Sequence, residues 1–174
     1  LRWNDPEWGP VPPAEFIPVA EERGMIGAIG EWVLTEGCRQ MKLWREAGLA
    51  FPGRLSVNVA VQQFEDPEFL AKVLRTVEAA GLVPDMFELE LTESGMMANL
   101  ERAIAAMQEL KTAGFALAID DFGTGYSSLV YLKRFAADKL KIDISFVRGM
   151  LKDRNDHAIV TTIISMARSL ELKT

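Results

Sequence analysis

The 174 residues include one cysteine, one histidine and two tyrosines, and no apolar run approaches the ~20 residues that a membrane-spanning helix needs. A lone cysteine, Cys38, cannot close an internal disulfide, which points to a reducing compartment. Lying in the helical stretch 31–46, it reads as a small buried hydrophobe. The lone histidine, His157, falls on the last predicted helix and reads as a surface residue. Nothing at the N-terminus has the form of a signal peptide. Nineteen Lys and Arg against twenty-five Asp and Glu leave a net charge of −6. That argues against sequence-independent binding of a nucleic-acid polymer, which needs clustered bases. A small anionic ligand remains compatible with this balance if metals supply the positive charge.

What is present, 49% apolar and 25% charged residues, suits one globular domain with a sizeable core. The chain starts at Leu1 without an initiator Met and stops at Thr174 directly after an amphipathic helix, so an excerpt of a longer polypeptide is expected. The Pro-, Trp- and acid-rich opening, Asn4 to Pro13, predicts a fixed loop. Trp3, Trp8, Trp32 and Trp44 are assigned to packing. Helices are predicted over 14–23, closed by Gly24, and over 26–47, stopped by Gly48. A regular alternation follows: strand 55–60, helix 67–80, strand 86–91, helix 99–113, strand 115–120, the loop Asp121 to Ser128 with a short helix, strand 139–143 and helix 155–171. Glu101, Glu109 and Lys111 read as a solvated helix face. Strands alternating with helices imply a parallel sheet, open or closed.

Successive side chains on a strand point to opposite faces. Phe87, Leu89 and Leu91 therefore oppose Glu88 and Glu90; Val57 opposes Ser56 and Asn58; Leu117 and Ile119 oppose Asp120; Leu140 and Ile142 oppose Lys139, Lys141 and Asp143. Asn58, Glu90, Glu93, Asp120, Asp121 and Lys141 thus sit at or just after strand ends, roughly 20 to 32 residues apart between strands, the spacing of a strand-helix repeat. Gathering like charges on one face is costly unless a cation or a lysine neutralises them. The convergence reads as a metal site. Functional groups at the carboxyl ends of several strands favour a barrel, and because an eight-fold barrel takes about 250 residues, this chain holds roughly two thirds of one.

Three motifs are specific enough to name a family: Glu88-Leu89-Glu90-Leu91-Thr92-Glu93-Ser94, Asp120-Asp121-Phe122-Gly123-Thr124-Gly125-Tyr126-Ser127-Ser128, and Leu140-Lys141-Ile142-Asp143 with Ser145 and Phe146. Together with Ser56-Val57-Asn58-Val59, Gln62 and the early helix Pro13 to Glu21, the chain resembles the EAL-domain phosphodiesterases that hydrolyse cyclic di-GMP, over essentially its whole length. The resemblance implies an α/β fold, a TIM-like (β/α)8 barrel of the EAL type with one reversed strand, about two thirds of it present. Leu1-Arg2 matches the end of the signature Glu-Ala-Leu-Leu-Arg, so the domain, residues 1–174, is expected to be incomplete at both ends.

The resemblance also implies roles. Asn58 and Glu90 resemble ligands of a first divalent ion, and Asp120 and Asp121 the pair that bridges to and completes a second, giving two Mg²⁺ or Mn²⁺. An inward salt bridge from Glu90 to Lys141, and a plain strand-to-loop cap at Asp120-Asp121, are the structural alternatives. Lys141 resembles the residue that polarises the attacking water, with Asp143 supporting it. Glu93 is not expected to be a ligand but to anchor the loop Asp121 to Ser128, and Arg2 resembles the arginine that holds a substrate phosphate. Cyclic di-GMP as ligand, a homodimer, attached sensor or cyclase domains, and a cytoplasmic domain, compatible with a membrane anchor elsewhere in the parent, are further implications. The rival readings are an inactive cyclic di-GMP receptor of the same fold and an enolase-like metal barrel.

Overall fold

In the computed structural model, which describes residues 1–49, 52–125 and 129–174, the chain opens with an antiparallel hairpin, β1 (Trp3–Asp5) and β2 (Gly9–Val11). A fixed loop was expected here. The Asp5 carboxylate makes the difference, accepting from the amides of Glu7 at 2.9 Å and Trp8 at 3.1 Å and closing the turn. Pro10 is tolerated in β2 because this two-stranded ribbon consists of edges alone. Helices α1 (Pro13–Glu22) and α2 (Ile26–Glu46) follow, α1 starting on a proline whose fixed φ suits the first helical position. Cys38 is buried within α2, and burial pushes its thiol up to about 11. The tryptophans depart from expectation. Trp44 packs against the core, whereas Trp3, Trp8 and Trp32 are exposed along a groove shared by the hairpin, α1 and α2.

Four parallel strands then pair in chain order: β3 (Leu55–Asn58), β4 (Phe87–Thr92), β5 (Ala116–Phe122) and β6 (Lys139–Ile142). Strand β3 stops at Asn58, two residues before its expected end. The connection to β4 begins as a 3-10 turn, Val61–Glu65, ahead of α3 (Phe69–Ala79), so the expected helix 67–80 is shorter than its pattern. Between β4 and β5 an unexpected short helix, α4 (Glu93–Ala98), started by the Thr92 hydroxyl accepting from Gly95 N at 3.3 Å, precedes α5 (Leu100–Thr112). Helix α6 (Leu129–Leu132) links β5 to β6, and α7 (Ile144–Gly149) and α8 (Arg154–Ser169) close the described fold, with His157 exposed on α8.

Val57, Phe87, Leu89, Leu91, Leu117, Ile119 and Leu140 face the helices and join Val77, Met107, Leu110 and Ala167 in one buried cluster. The other face carries Ser56, Asn58, Glu88, Glu90, Ala116, Ala118, Asp120, Lys139 and Lys141, as alternation requires. At the β6 edge Lys173 already pairs alongside, with Leu140 N donating to Lys173 O at 2.8 Å. Two predicted surface charges are partnered: Glu101 pairs with Arg134 and Lys111 with Asp138. Among the described residues no helix is long and apolar enough to cross a membrane.

Candidate active site

The polar face is organised in two tiers. In the lower tier Lys139 Nζ lies 2.6 Å from Glu88 Oε2, and the Ser56 hydroxyl donates to Glu88 Oε1 at 3.2 Å. In the upper tier Lys141 Nζ lies 2.6 Å from Glu90 Oε2 and 2.7 Å from Asp120 Oδ2, with Asn58 in register opposite Glu90. To reach Glu88 and Glu90 on β4, both lysines of β6 must cross β5, and neighbouring strands stand about 4.8 Å apart. Ala116 and Ala118, in register with Glu88 and Glu90, leave that path clear. The salt bridge from Glu90 to Lys141, weighed as an alternative from sequence, is present.

Two adjacent aspartates cannot both face one side of a regular strand. The sheet solves this with a bulge: Ile119 pairs with Leu140 and Phe122 with Ile142, so Asp120 and Asp121 together stand against Lys141. Asp121 takes φ 53, a left-handed conformation that a short polar side chain tolerates better than most. Burial, then the neighbouring charges of Asp120 and Asp143, push the Asp121 carboxyl above the usual carboxylate range, with Lys141 opposing them. For Lys141, burial favours the neutral amine, but the carboxylates of Asp120 and Glu90 outweigh it and raise its pKa, so the side chain is an ammonium.

Asp143 differs from its expected role as support for Lys141. Its carboxylate caps α7, accepting from Ser145 N at 2.8 Å and from the Ser145 hydroxyl, and these bonds hold it below the usual range. It faces Asp121, one element beyond the lysine. Helix capping wins because Ser145 lies two residues on, where an Asx-type turn forms locally.

Glu93 opens α4 and is 1% exposed. Its Oε2 accepts from Gly123 N at 2.8 Å and Gly125 N at 3.3 Å, so a carboxylate at the end of β4 fastens the loop that leaves β5. A Cβ on Gly125 would lie 2.9 Å from Glu93 Oε1, and Gly123, at φ 104, would bring one 3.0 Å from the Phe146 ring. Glu93 thus bonds the amides of Gly123 and Gly125, while Tyr126, Ser127 and Ser128 of the motif lie outside the described residues.

Among the described residues no group of three or more Asp, Glu, His or Cys side chains is arranged to hold a metal ion. The Lys141 ammonium lies between Glu90 and Asp120 instead. The donor chemistry nevertheless fits a hard divalent ion: Asn58, Glu90, Asp120 and Asp121 offer oxygen alone, and the acids outnumber the one lysine among them. Arg2 is not brought into this cluster. It is exposed and lines the groove of about 1140 Å³ beside Trp3, Trp8 and Trp32. Sequence reasoning missed the lower tier, although the shared parity of Ser56, Glu88 and Lys139 was its signal.

Residues 1–174 match the family described as EAL domain. The chain is 42% identical over 173 residues to the bifunctional diguanylate cyclase/cyclic di-GMP phosphodiesterase MucR of Pseudomonas aeruginosa, covering 99% of this chain and 25% of MucR. It is 39% identical to the cyclic di-GMP phosphodiesterase NbdA of the same organism, covering 99% of this chain and 22% of NbdA. The solved MucR phosphodiesterase in complex with c-di-GMP superposes with a TM-score of 0.92 at 42% identity, covering 98% of this chain and 69% of that one. The chain thus spans about a quarter of these curated relatives and about two thirds of the solved domain.

Proposed function

We propose a function from one premise: the chain belongs to the EAL domain family. It forms the greater part of a domain that hydrolyses one phosphodiester bond of cyclic di-GMP, giving linear pGpG. The observation that carries this reading is the Lys141 ammonium between Glu90 and Asp120, on the face and at the strand ends where phosphate chemistry needs a concentrated charge.

The family is metal-dependent in general. Asn58, Glu90, Asp120 and Asp121 would hold two Mg²⁺ or Mn²⁺ ions, which when bound supply Lewis-acid polarisation of the phosphate and an acidified attacking water. Lys141, released from Glu90 and Asp120, would donate a hydrogen bond that orients the attacking water in line with the departing oxygen. Glu93 holds Gly123 and Gly125, fixing the loop beside Asp121. Arg2 grips a substrate phosphate once the rest of the domain brings it over the strand ends. The water oxygen forms a new P–O bond as the P–O bond to the departing sugar oxygen breaks; the water gives up a proton to solvent and the leaving oxygen takes one from solvent. The domain is cytoplasmic, where its nucleotide substrate is made, and works as a homodimer with attached sensor or cyclase domains.

The test is hydrolysis of cyclic di-GMP by the full-length protein with Mg²⁺ or Mn²⁺, the linear product being quantified chromatographically. Metal-dependent turnover that disappears in Glu90→Gln supports the reading. Micromolar binding without turnover reassigns the domain as a receptor, and absence of both rejects it.

A further inference from the structure

We propose that Lys139 is a positioning residue: by neutralising Glu88 in the lower tier it keeps Lys141 available at the upper one. The proposal rests on the phosphodiesterase reading for its kinetic consequence and on geometry alone for its structural one. Glu88 is 6% exposed, and its partners are Lys139 Nζ, 2.6 Å from Oε2 and 2.7 Å from Oε1, and the Ser56 hydroxyl. A buried carboxylate that loses its counter-ion is strongly destabilised and recruits whatever cation can reach it. Arg54, whose charge is also felt at Glu88, is committed to the carboxylate and carbonyl of Asp85. Lys141 is the next ammonium on the same face. It lies two residues along β6, a rise of about 6 to 7 Å, within the swing of a flexible four-carbon stem.

The competition sharpens when divalent ions engage Glu90 and Asp120. Lys141 then loses the carboxylates that hold it upward, and an unpartnered Glu88 would draw it down and away from the water it orients. With Lys139 in place, Glu88 is already satisfied and Lys141 has nothing to gain below. Ala116 and Ala118 make this separation possible, because the cleared surface of β5 lets each lysine cross at its own level.

The effects of the two partners should be unequal, which a merely structural ion pair would not produce. In the full-length protein, Lys139→Met should lower kcat by on the order of tenfold to hundredfold, the loss expected of a misplaced catalytic group, with KM little changed. Glu88→Gln, which leaves no acid to recruit Lys141, should keep kcat within about threefold of wild type, and the Glu88→Gln/Lys139→Met double variant should recover to the same level. Crystal structures give the readout independent of activity: Lys141 Nζ beside Glu88 in Lys139→Met, and at its upper position in the double variant. Should Lys139→Met not fold, Lys139→Gln, which removes the charge but keeps a polar side chain, should still lower kcat on the order of tenfold, while Lys139→Arg and Glu88→Gln stay within about threefold of wild type. Equal damage from both single variants, or an unmoved Lys141 in Lys139→Met, overturns the proposal. Absence of cyclic di-GMP turnover in the wild type would defeat the functional reading, while the Lys141 position would still decide this one.

Discussion

The lower and upper tiers of the sheet's polar face each set a β4 glutamate against a β6 lysine, yet they differ in electrical balance, because only the upper one adds aspartates from β5. Below, Glu88 meets Lys139 and Ser56, one acid against one base, and the group is closed. Above, Glu90, Asp120 and Asp121 share Lys141, and the Asp121 carboxyl is pushed upward by burial and then by the charges of Asp120 and Asp143. A balanced buried pair sets register and needs nothing further. An unbalanced cluster at the carboxyl ends of parallel strands is unfavourable until a cation arrives, which is how a fold stores a binding site. The bulge that sets Asp120 and Asp121 against one lysine creates that imbalance.

Breaking the upper tier should have the largest effect. Glu90→Gln removes a proposed metal ligand and half of the Lys141 grip, and kcat for cyclic di-GMP should fall on the order of 10²-fold or more, while the melting temperature changes little because excess negative charge is relieved. Next comes the tie between the β4 end and the loop. Glu93→Ala strips the partner from the Gly123 and Gly125 amides, so stability should drop by about 1 to 3 kcal/mol and kcat by up to roughly 10²-fold, read by denaturant titration and steady-state kinetics. Glu93→Gln keeps an acceptor and should recover most of the stability.

Obstructing the path between tiers ranks third. Ala118→Val puts a branched side chain where both lysines pass, and overpacking there should cost about 1 to 3 kcal/mol, with both ion pairs broken together in a crystal structure. An unaltered pair of bridges would mean that the alanines merely fill space.

The smallest effect lies just outside both tiers. Burial would raise the Asp138 carboxyl, but Lys111 and the Leu117 amide, whose N lies 2.9 Å from Oδ2, outweigh it and hold the group below the usual carboxylate range. A depressed folded-state pKa contributes stability that is present above the unfolded value, about 3.9, and is lost as pH falls through the folded one. Asp138→Asn should therefore lower stability slightly at pH 7 and flatten its decline below pH ~4, measured by melting temperature against pH.

Much of this was legible because parity is a local property. The alternation of Phe87 to Leu91 fixes which side chains face the helices before any partner strand is known, and the strand-end spacing then brings Asn58, Glu90 and Asp120 to one rim. The bulge at Asp120-Asp121 was not legible, since it exists only relative to Leu140 and Ile142 across the ladder. Helix α4 escaped notice because its six residues, with Gly95 inside, carry too little periodicity. Asp143 was placed beside Lys141 by parity, but its own short-range bonds to Ser145 decide where the carboxylate points. The exposure of Trp3, Trp8 and Trp32 is set by tertiary placement, on which residue type alone is silent.

The most direct test is anomalous diffraction from crystals of the full-length protein grown with Mn²⁺ and cyclic di-GMP. The account predicts manganese peaks bounded by Asn58, Glu90, Asp120 and Asp121, with Lys141 displaced from between Glu90 and Asp120 toward the scissile phosphate. Manganese bound elsewhere, with Lys141 still bridging those two carboxylates at saturating metal, would contradict it.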